Sequence, residues 1–509
     1  MPSNTTTFKS IPENLGGGRV GLLLLLFALA LYLFSTSGFP AFAVVCMIPL
    51  LILGLVLTFR YSMFIFWVLT LINFFVQWKN FPQTGIPISL FNEGLELLLI
   101  ALAIIKVEAE RFDHLFNPMF VALGIWCTFC TLELLNDTCG LGLDFGFWYT
   151  GARLMAFQLM YAFVIFTLYI TTPKILLRYL AVWAALAAFA ALWIWKQKYI
   201  GLTDAERSYL YGAGRATHII GGGSIIRLFS IFSDAANCGV NYASTAVAFL
   251  IFGLTNKILR YKIFFLVVGF ASMLAMGSTG TRTAIACFIG GVGAYVFLSK
   301  SFKLGIPVII LLGLMYFFLA FTKIANGNAE IRRMRSAFDK KDASMDVRYN
   351  NQAVMKKYLA EAPWGIGLGN KALPANHKYY RLTSIPCDSE YVYIWVHTGA
   401  IGITTFLIIN GIILLGASYI IFFRLRNKAL LGIASGMTCA FISLHLGGYA
   451  NQVLMQFPNC LLFYGGISIV FVLPRIESEW NEYEAELLEE QNKWKRLREG
   501  KRLASRVKS

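Results

Sequence analysis

The residues able to do chemistry concentrate in one polar interval, Lys323 to Glu390, set between long apolar blocks. It carries Arg332, Arg333 and Arg335, then Arg348, and closes on Asp388-Ser389-Glu390-Tyr391. From Lys323 to Asp388 there are twelve Lys or Arg against six Asp or Glu. A guanidinium holds phosphate-type oxygens through paired hydrogen bonds without losing its proton, so this surplus points to an anionic ligand. The alternative is a solvated run of charge facing acidic lipid head groups. Between the arginines and Asp388 lies Pro363-Trp364-Gly365-Ile366-Gly367-Leu368-Gly369-Asn370. Its glycines permit backbone geometries closed to other residues and leave amides free to approach a ligand, or they make a bare turn.

Two further stretches carry cations at the edges of apolar blocks. The interval Lys196 to Cys238 contains Arg207, Arg215, His218, Gly221 to Gly223, and then Arg227 running to Asp234 and Asn237. The short turn Ser278-Thr279-Gly280-Thr281-Arg282-Thr283-Ala284 places Arg282 at a membrane boundary, where a snorkelling arginine would also sit.

The elements that must position these residues follow from local pattern. Ser344 reads as an N-cap, and Val347, Val354, Met355, Tyr358 and Leu359 recur on one helical face, so a helix from Ser344 to Glu361 carries Arg348 and Pro363 ends it. Asp388 directly precedes an apolar run and also suits a helix N-cap. Elsewhere the composition decides the class. With 57% hydrophobic and 14% charged residues, the chain is built to live in lipid. Apolar blocks long enough to span begin near Val20, Ala41, Tyr61, Ser89, Pro118, Ala152, Ile175, Gly239, Lys262, Arg282, Leu304, Ala400, Ala429 and Met455. The expected fold is an all-α polytopic transmembrane helix bundle of about fourteen spans. Two long outer-face loops, 196–238 and 323–390, partly helical, fold over it. The block from Val20 reads as an uncleaved anchor, since no small-residue cleavage site follows it.

Alternate short connections carry Arg60, Lys106 with Arg111, Lys174 with Arg178, Lys257 with Arg260 and Lys262, Lys300 with Lys303, and Arg424 with Arg426 and Lys428. These read as cytoplasmic, which puts both termini in the cytoplasm. The formal net charge of +17 belongs almost wholly to the membrane part, because the tail from Arg475 holds nine cations and eight anions. That tail, 475–509, reads as a cytoplasmic amphipathic helix, with Trp480, Tyr483, Leu487, Trp494 and Leu497 at heptad-like positions. It would lie on the inner leaflet or pair with a partner. The nine cysteines form no disulfide or metal framework, and no nucleotide-binding loop, cofactor motif or nucleic-acid partner is indicated.

Four stretches in order resemble the O-antigen ligase and polymerase superfamily of membrane glycosyltransferases. Arg227 through Asn237 is similar to the family's arginine-led segment before a span, and Ser278 through Ala284 to its serine-x-arginine turn. Ser344 through Gly369 looks like its helix with serine and arginine, then proline and Gly-x-Gly. Asp388-Ser389-Glu390-Tyr391, followed by Gly399 and Gly402, resembles the segment where many members carry histidine, a tyrosine and a later Gly-x-x-Gly. The match covers roughly residues 215 to 410.

The resemblance implies an inverting, metal-independent transferase at the outer face of a bacterial inner membrane. Its donor would be a glycan on a polyprenyl diphosphate and its acceptor a glycan hydroxyl. Arg227, Arg282 and Arg348 then stand as the groups that stabilise the diphosphate leaving group, with Arg207, Arg215 and Arg153 secondary. Gly365, Gly367, Asn237 and His397 are candidate substrate contacts. Asp388 occupies the position of the family's histidine and becomes the candidate general base, with His397 and His377 as rivals. Polymerase is preferred over ligase, because the ligase-type histidine is replaced and two cationic loops suit two glycan substrates. The alternative of another class is a transporter or flippase of lipid-linked glycan, which would use intramembrane acids such as Glu93, Glu96 and Glu133 for ion coupling. The other reading of those acids is packing against Arg153.

Overall fold

The computed structural model describes residues 61–81, 88–106, 109–142, 144–220, 225–299, 302–324, 326–327, 329–335, 343–368 and 373–507, with scattered positions between 21 and 60. The apolar blocks expected from Val20 and Ala41 therefore lie largely outside the described residues, as do Gly221 to Gly223 and the side chains of Ser344 and Arg348. The chain divides into two compact units, Met1–Ile65 and Phe66–Ser509, and the candidate site lies wholly in the second.

The helices, in order, are α1 Ser62–Phe75, α2 Ile88–Lys106, α3 Pro118–Leu132, α4 Phe145–Ala152, α5 Gln158–Tyr169, α6 Pro173–Tyr199, α7 Asp204–Tyr211 and α8 Ala235–Thr255. There follow α9 Leu259–Ser278, α10 Arg282–Leu298, α11 Phe302–Phe321, α12 Ala329–Arg335, α13 Ala343–Leu359, α14 Glu390–Tyr419, α15 Lys428–Ala450 and α16 Asn459–Val507. A π-helical turn, Arg153–Phe157, joins α4 to α5. Among the described residues, 9 helices are long and apolar enough to cross a membrane; α1 and α10 are apolar but shorter. Each block expected from Tyr61 onward coincides with a helix, though not each with one of the 9 candidate spans, and the count of about fourteen is not reached among the described residues. The molecule is a multi-pass membrane protein whose candidate spans among the described residues are helices, since a helix closes every backbone hydrogen bond within one segment in lipid.

Local chemistry starts the helices. Asn117 accepts from the amides of Met119 and Phe120 with Pro118 at the first position of α3, Thr172 does the same for α6 ahead of Pro173, and Asn427 caps α15. The bundle centre is α8, packed against α9, α10 and α15. Small residues let the backbones approach: Cβ atoms at Gly432, Gly436 and Gly447 of α15 would strike Thr255, Phe252 and Val240 of α8, an antiparallel register.

The first long connection is tied down by a buried carboxylate. Glu206 is 0% exposed. Its Oε1 accepts from Trp193 Nε1 at 2.7 Å, Gln197 Nε2 at 2.9 Å and Asn80 Nδ2 at 3.2 Å, and its Oε2 from the Thr203 amide at 2.9 Å. Burial alone would raise this carboxyl; the Thr203 amide, Gln197, Trp193 and Lys196 together hold it below its ordinary value. The segment 475–507 continues α16 without a break. Trp480 and Leu487 are buried, Glu484 meets Lys257 at 3.2 Å, and Glu477 accepts from the amides of Arg426 and Asn427. This half of the tail thus docks on the chain's own connections.

Near the second long loop, α14 is kinked at Gly399, whose φ is +66°. A Cβ there would overlap the Pro363 carbonyl oxygen. Gly399→Ala is therefore expected to cost more than about 3 kcal/mol, combining left-handed strain with a backbone clash. Gly411→Ala, with nothing within 4 Å of its Cβ position, is expected to be neutral or stabilising by about 1 kcal/mol. Thermal melts of the two detergent-purified variants check the contrast; similar losses in both would show that the crossing at Gly399 is not constrained.

Candidate functional site

The arginine patch is assembled around the first turn of α8. Asp234 caps that helix, its Oδ1 accepting from the amides of Ala236 at 2.7 Å and Asn237 at 3.0 Å. The residues before it are pinned by burial, with Phe229, Ile231 and Phe232 each 0% exposed. Ser230 sits at φ +52° and is held there by Gln197, which accepts from its amide at 2.8 Å and donates to its carbonyl at 3.1 Å. A short hairpin, β1 Ile219–Ile220 with β2 Ile225–Ile226, pairs Ile219 with Ile226. The Arg227 amide closes it onto the His218 carbonyl at 2.9 Å.

From this anchored backbone Arg227 reaches two ways, Nη1 to the Thr217 carbonyl at 3.0 Å and Nη2 to Thr281 Oγ1 at 2.9 Å. Thr281 Oγ1 in turn donates to the Ala235 carbonyl at 2.6 Å, fastening the turn before α10 to the start of α8. One residue earlier, Gly280 has φ +58°, and its carbonyl accepts from Arg333 Nε at 2.6 Å. A Cβ at Gly280 would stand 3.3 Å from Arg333 Cδ and 3.5 Å from Arg227 Cγ, so both side chains cross this glycine. Arg282 begins α10 two residues on. Burial, then the charges of Arg227 and Arg282, push the Arg333 guanidinium down to about 10. Three arginines thus share one patch, and an anion bound there would relieve the repulsion between them.

Arg333 was not singled out by sequence, where it stood inside a run expected to be solvated. The run is instead divided by the α12 helix. Arg332 donates to the carbonyls of Asn326 and Gly327, and Arg335 to the Ile324 carbonyl and Asn326 Oδ1, so these two hold the preceding turn. Only the small residues opposite hinted at the difference, since Gly277 admits Met334 and Gly280 admits Arg333. Lys79 is a second cation that sequence passed over. It stands 4.0 Å above the Tyr209 ring, and burial lowers its pKa while Asp234 opposes the shift.

Asp388 lies exposed at a shallow cleft lined also by Asn351, Gln352 and Tyr449. Asn351 and Gln352 follow Arg348 on α13 by one helical turn, which brings that helix and Asp388 together. The N-cap position of α14 falls on Ser389 rather than Asp388, and the Ser389 hydroxyl donates to the Gly448 carbonyl at 3.2 Å. The connection after α15 links the Asp388 region to the Arg227 region. Gln452 donates to the Cys387 carbonyl, Leu454 N to Glu390 Oε2 at 2.9 Å, Ser233 to Gln456 Oε1, and Asn237 Nδ2 to the Phe457 carbonyl at 3.0 Å.

The remaining candidates separate. Gly365 and Gly367, at φ +72° and +88°, spend their amides on the carbonyls of Ala362 and His397, and Ile366 spends its amide on Val396. A Cβ at Gly365 would stand 2.5 Å from the Gly399 amide, so these glycines serve a backbone crossing rather than leaving amides free. Gly367 also lines an open cleft with Glu133, Asp137, Asp144 and Trp148. Neither cleft is lined by the three arginines. Asn237 is 0% exposed and bridges Ser233, Phe457 and Asn459 inside the bundle. His397 is 7% exposed, with Nδ1 on the Tyr393 carbonyl at 2.8 Å, and His377 bonds the Cys139 carbonyl. Arg207 and Arg215 are exposed, Arg207 near Asp204 at 3.8 Å, and Arg153 pairs with Glu93 at 3.0 Å. Of the intramembrane acids only Glu93 takes Arg153 as a partner among the described bonds; Glu133 accepts from Asn136 at 2.7 Å.

The chain is a multi-pass helical membrane protein that gathers arginines at its loop-bearing end. Residues 264–407 match the family model described as O-antigen ligase, which supports the O-antigen ligase and polymerase superfamily. The matched stretch contains Arg282, Arg333, Arg348 and Asp388 and stops short of Arg227 on its N-terminal side. No curated protein matches the chain.

His218 ties this patch to pH. It is 0% exposed, its Nδ1 faces the Gly214 carbonyl at 3.0 Å, and its Nε2 accepts from the Ala235 amide at 3.2 Å, so the bound form is the neutral ring. Burial, aided by Arg227 and Lys79, lowers its pKa, while Gly214 and Asp234 oppose. Because the unfolded chain then binds more protons, stability rises with pH across the window below about 6.5 and is lost as pH falls through it. Melts from pH 7.5 to 5 are expected to show a falling Tm that flattens in His218→Gln; an unchanged slope in that variant would place the titration elsewhere.

Proposed function

We propose that the protein transfers a glycan from a polyprenyl diphosphate carrier to a hydroxyl of a second glycan, at the outer face of a bacterial inner membrane. The carrying observation is that Arg227 and Arg333 meet over Gly280 with Arg282, two residues on, close enough for its charge to act on Arg333. As the acceptor oxygen bonds to the anomeric carbon from the opposite face, the bond from that carbon to the diphosphate oxygen breaks and its electron pair stays with the diphosphate. The three guanidinium groups stabilise that developing charge. The acceptor hydroxyl loses its proton to the Asp388 carboxylate, which is exposed at its cleft beside Asn351 and Gln352. Arg348, one turn before those amides, is assigned to the same substrate. The match to the O-antigen ligase family supports the donor class. Polymerase is the preferred form, because two cationic loops at one end suit a growing chain and an incoming unit. Both termini are then cytoplasmic.

Arg333→Lys and Arg282→Lys are expected to lower transfer of a radiolabelled lipid-linked glycan by about a hundredfold, since lysine keeps the charge but loses the paired geometry. Arg332→Lys, on an exposed arginine that faces carbonyls of its own turn, should stay within about twofold. Equal tolerance at all three positions, with expression matched, would remove the patch from the reaction. Deleting the protein separates the forms: single units left on the carrier indicate a polymerase, long polymer a ligase, and units trapped on the cytoplasmic side a flippase.

A further inference from the structure

Away from the arginine patch, α2 and α5 meet across polar side chains that lie inside two candidate spans. Asn92 and Glu96 are 0% exposed, Gln158 1% and Glu93 3%. Glu93 is fully engaged, its Oε2 with Arg153 Nη1 at 3.0 Å and its Oε1 with Tyr149 Oη at 3.0 Å. Glu96 is not: Asn92 Nδ2 donates to its Oε1 at 2.9 Å, and its Oε2 has no hydrogen-bond partner. Asn92 Oδ1, both amide atoms of Gln158 and Arg153 Nε are also unpartnered. Gln158 faces Glu96 without closing a hydrogen bond.

Unpaired polar atoms at this depth are costly, since no bulk water reaches them. The charges do not balance either: two carboxylates share one guanidinium, and Arg153 is committed to Glu93. Tyr149 and Tyr161 on the α4–α5 side and Cys460 from α16 are the other titratable groups facing the cluster, and none supplies a cation. Three of the unpartnered atoms are oxygens of the kind that hard cations take, one carboxylate and two amide carbonyls. The π turn Arg153–Phe157 ends at Gln158 and marks a local departure from helical register, a feature that recurs at functional sites. Trp126 Nε1 donates to the Met155 carbonyl at 2.8 Å and so secures the bulge.

We propose that Glu96 Oε2, Asn92 Oδ1 and Gln158 Oε1 bind one monovalent metal cation of sodium size within the membrane. Water retained by the cation accepts from Gln158 Nε2 and Arg153 Nε. Water alone would leave the negative charge unbalanced, and a proton on Glu96 would leave at least one amide oxygen unpaired. The cation resolves both, and the site is independent of the glycan-transfer assignment.

Melting the detergent-purified full chain in sodium chloride against choline chloride, at one ionic strength and pH, tests this. Wild-type Tm should rise with sodium to a plateau. Gln158→Leu, which changes no charge, should raise the half-saturating sodium concentration about tenfold. Glu96→Gln should abolish the rise while leaving the melt in choline at or above the wild-type value. Identical wild-type melts in the two salts would overturn the site. So would a sodium-independent melt whose pH dependence vanishes in Glu96→Gln, because the positive charge would then be a proton.

Discussion

Everything at the loop-bearing end depends on the crowding of like charge over one glycine. Arg227 and Arg333 cross Gly280, Arg282 follows two residues later, and Thr281 locks the turn to the first carbonyl of α8. Guanidinium groups repel one another and lose hydration when half-buried, so the fold must hold them in place through other bonds. It does so with backbone acceptors, Thr217 for Arg227 and Gly280 for Arg333. The result is a patch of three arginines fixed by the chain's own contacts, at which a bound anion would relieve their repulsion.

That patch would be isolated without the connection 451–458. Gln452 and the Leu454 amide reach the start of α14 on one side, and Gln456 and the Phe457 carbonyl reach the start of α8 on the other. Asp388 and Arg227 are far apart in sequence, and this connection gives them a common support. The kinked crossing of Gly365 over Gly399 performs a similar task for the second long loop. Glycine is required there because two backbones approach with no room for a side chain.

The bundle interior follows another rule. In lipid an unpaired polar group has no bulk water to turn to, so buried acids are paired or bind something. Glu93 answers this with Arg153 and Tyr149, and Glu206, at the loop-bearing end, with four donors. Glu96 has one donor and an open oxygen.

Local pattern was enough to read the class, the apolar blocks that form helices from Tyr61 onward, and Arg227 and Arg282 as cations beside a helix. These are local properties: apolar length, cap residues such as Asn117 and Asn427, and cations beside a span. The tertiary structure alone decided which arginine of 332, 333 and 335 joins the patch. All three look alike in sequence, and helix rotation on α12 turns only Arg333 towards Gly280. It also decided that the amides of Gly365 and Gly367 serve the α14 kink, that Ser389 rather than Asp388 takes the N-cap position, and that the first half of the tail docks on the chain's own connections. Each of these outcomes rests on contacts between residues distant in the chain. Local pattern carries no information about which distant backbone will arrive opposite a given side chain.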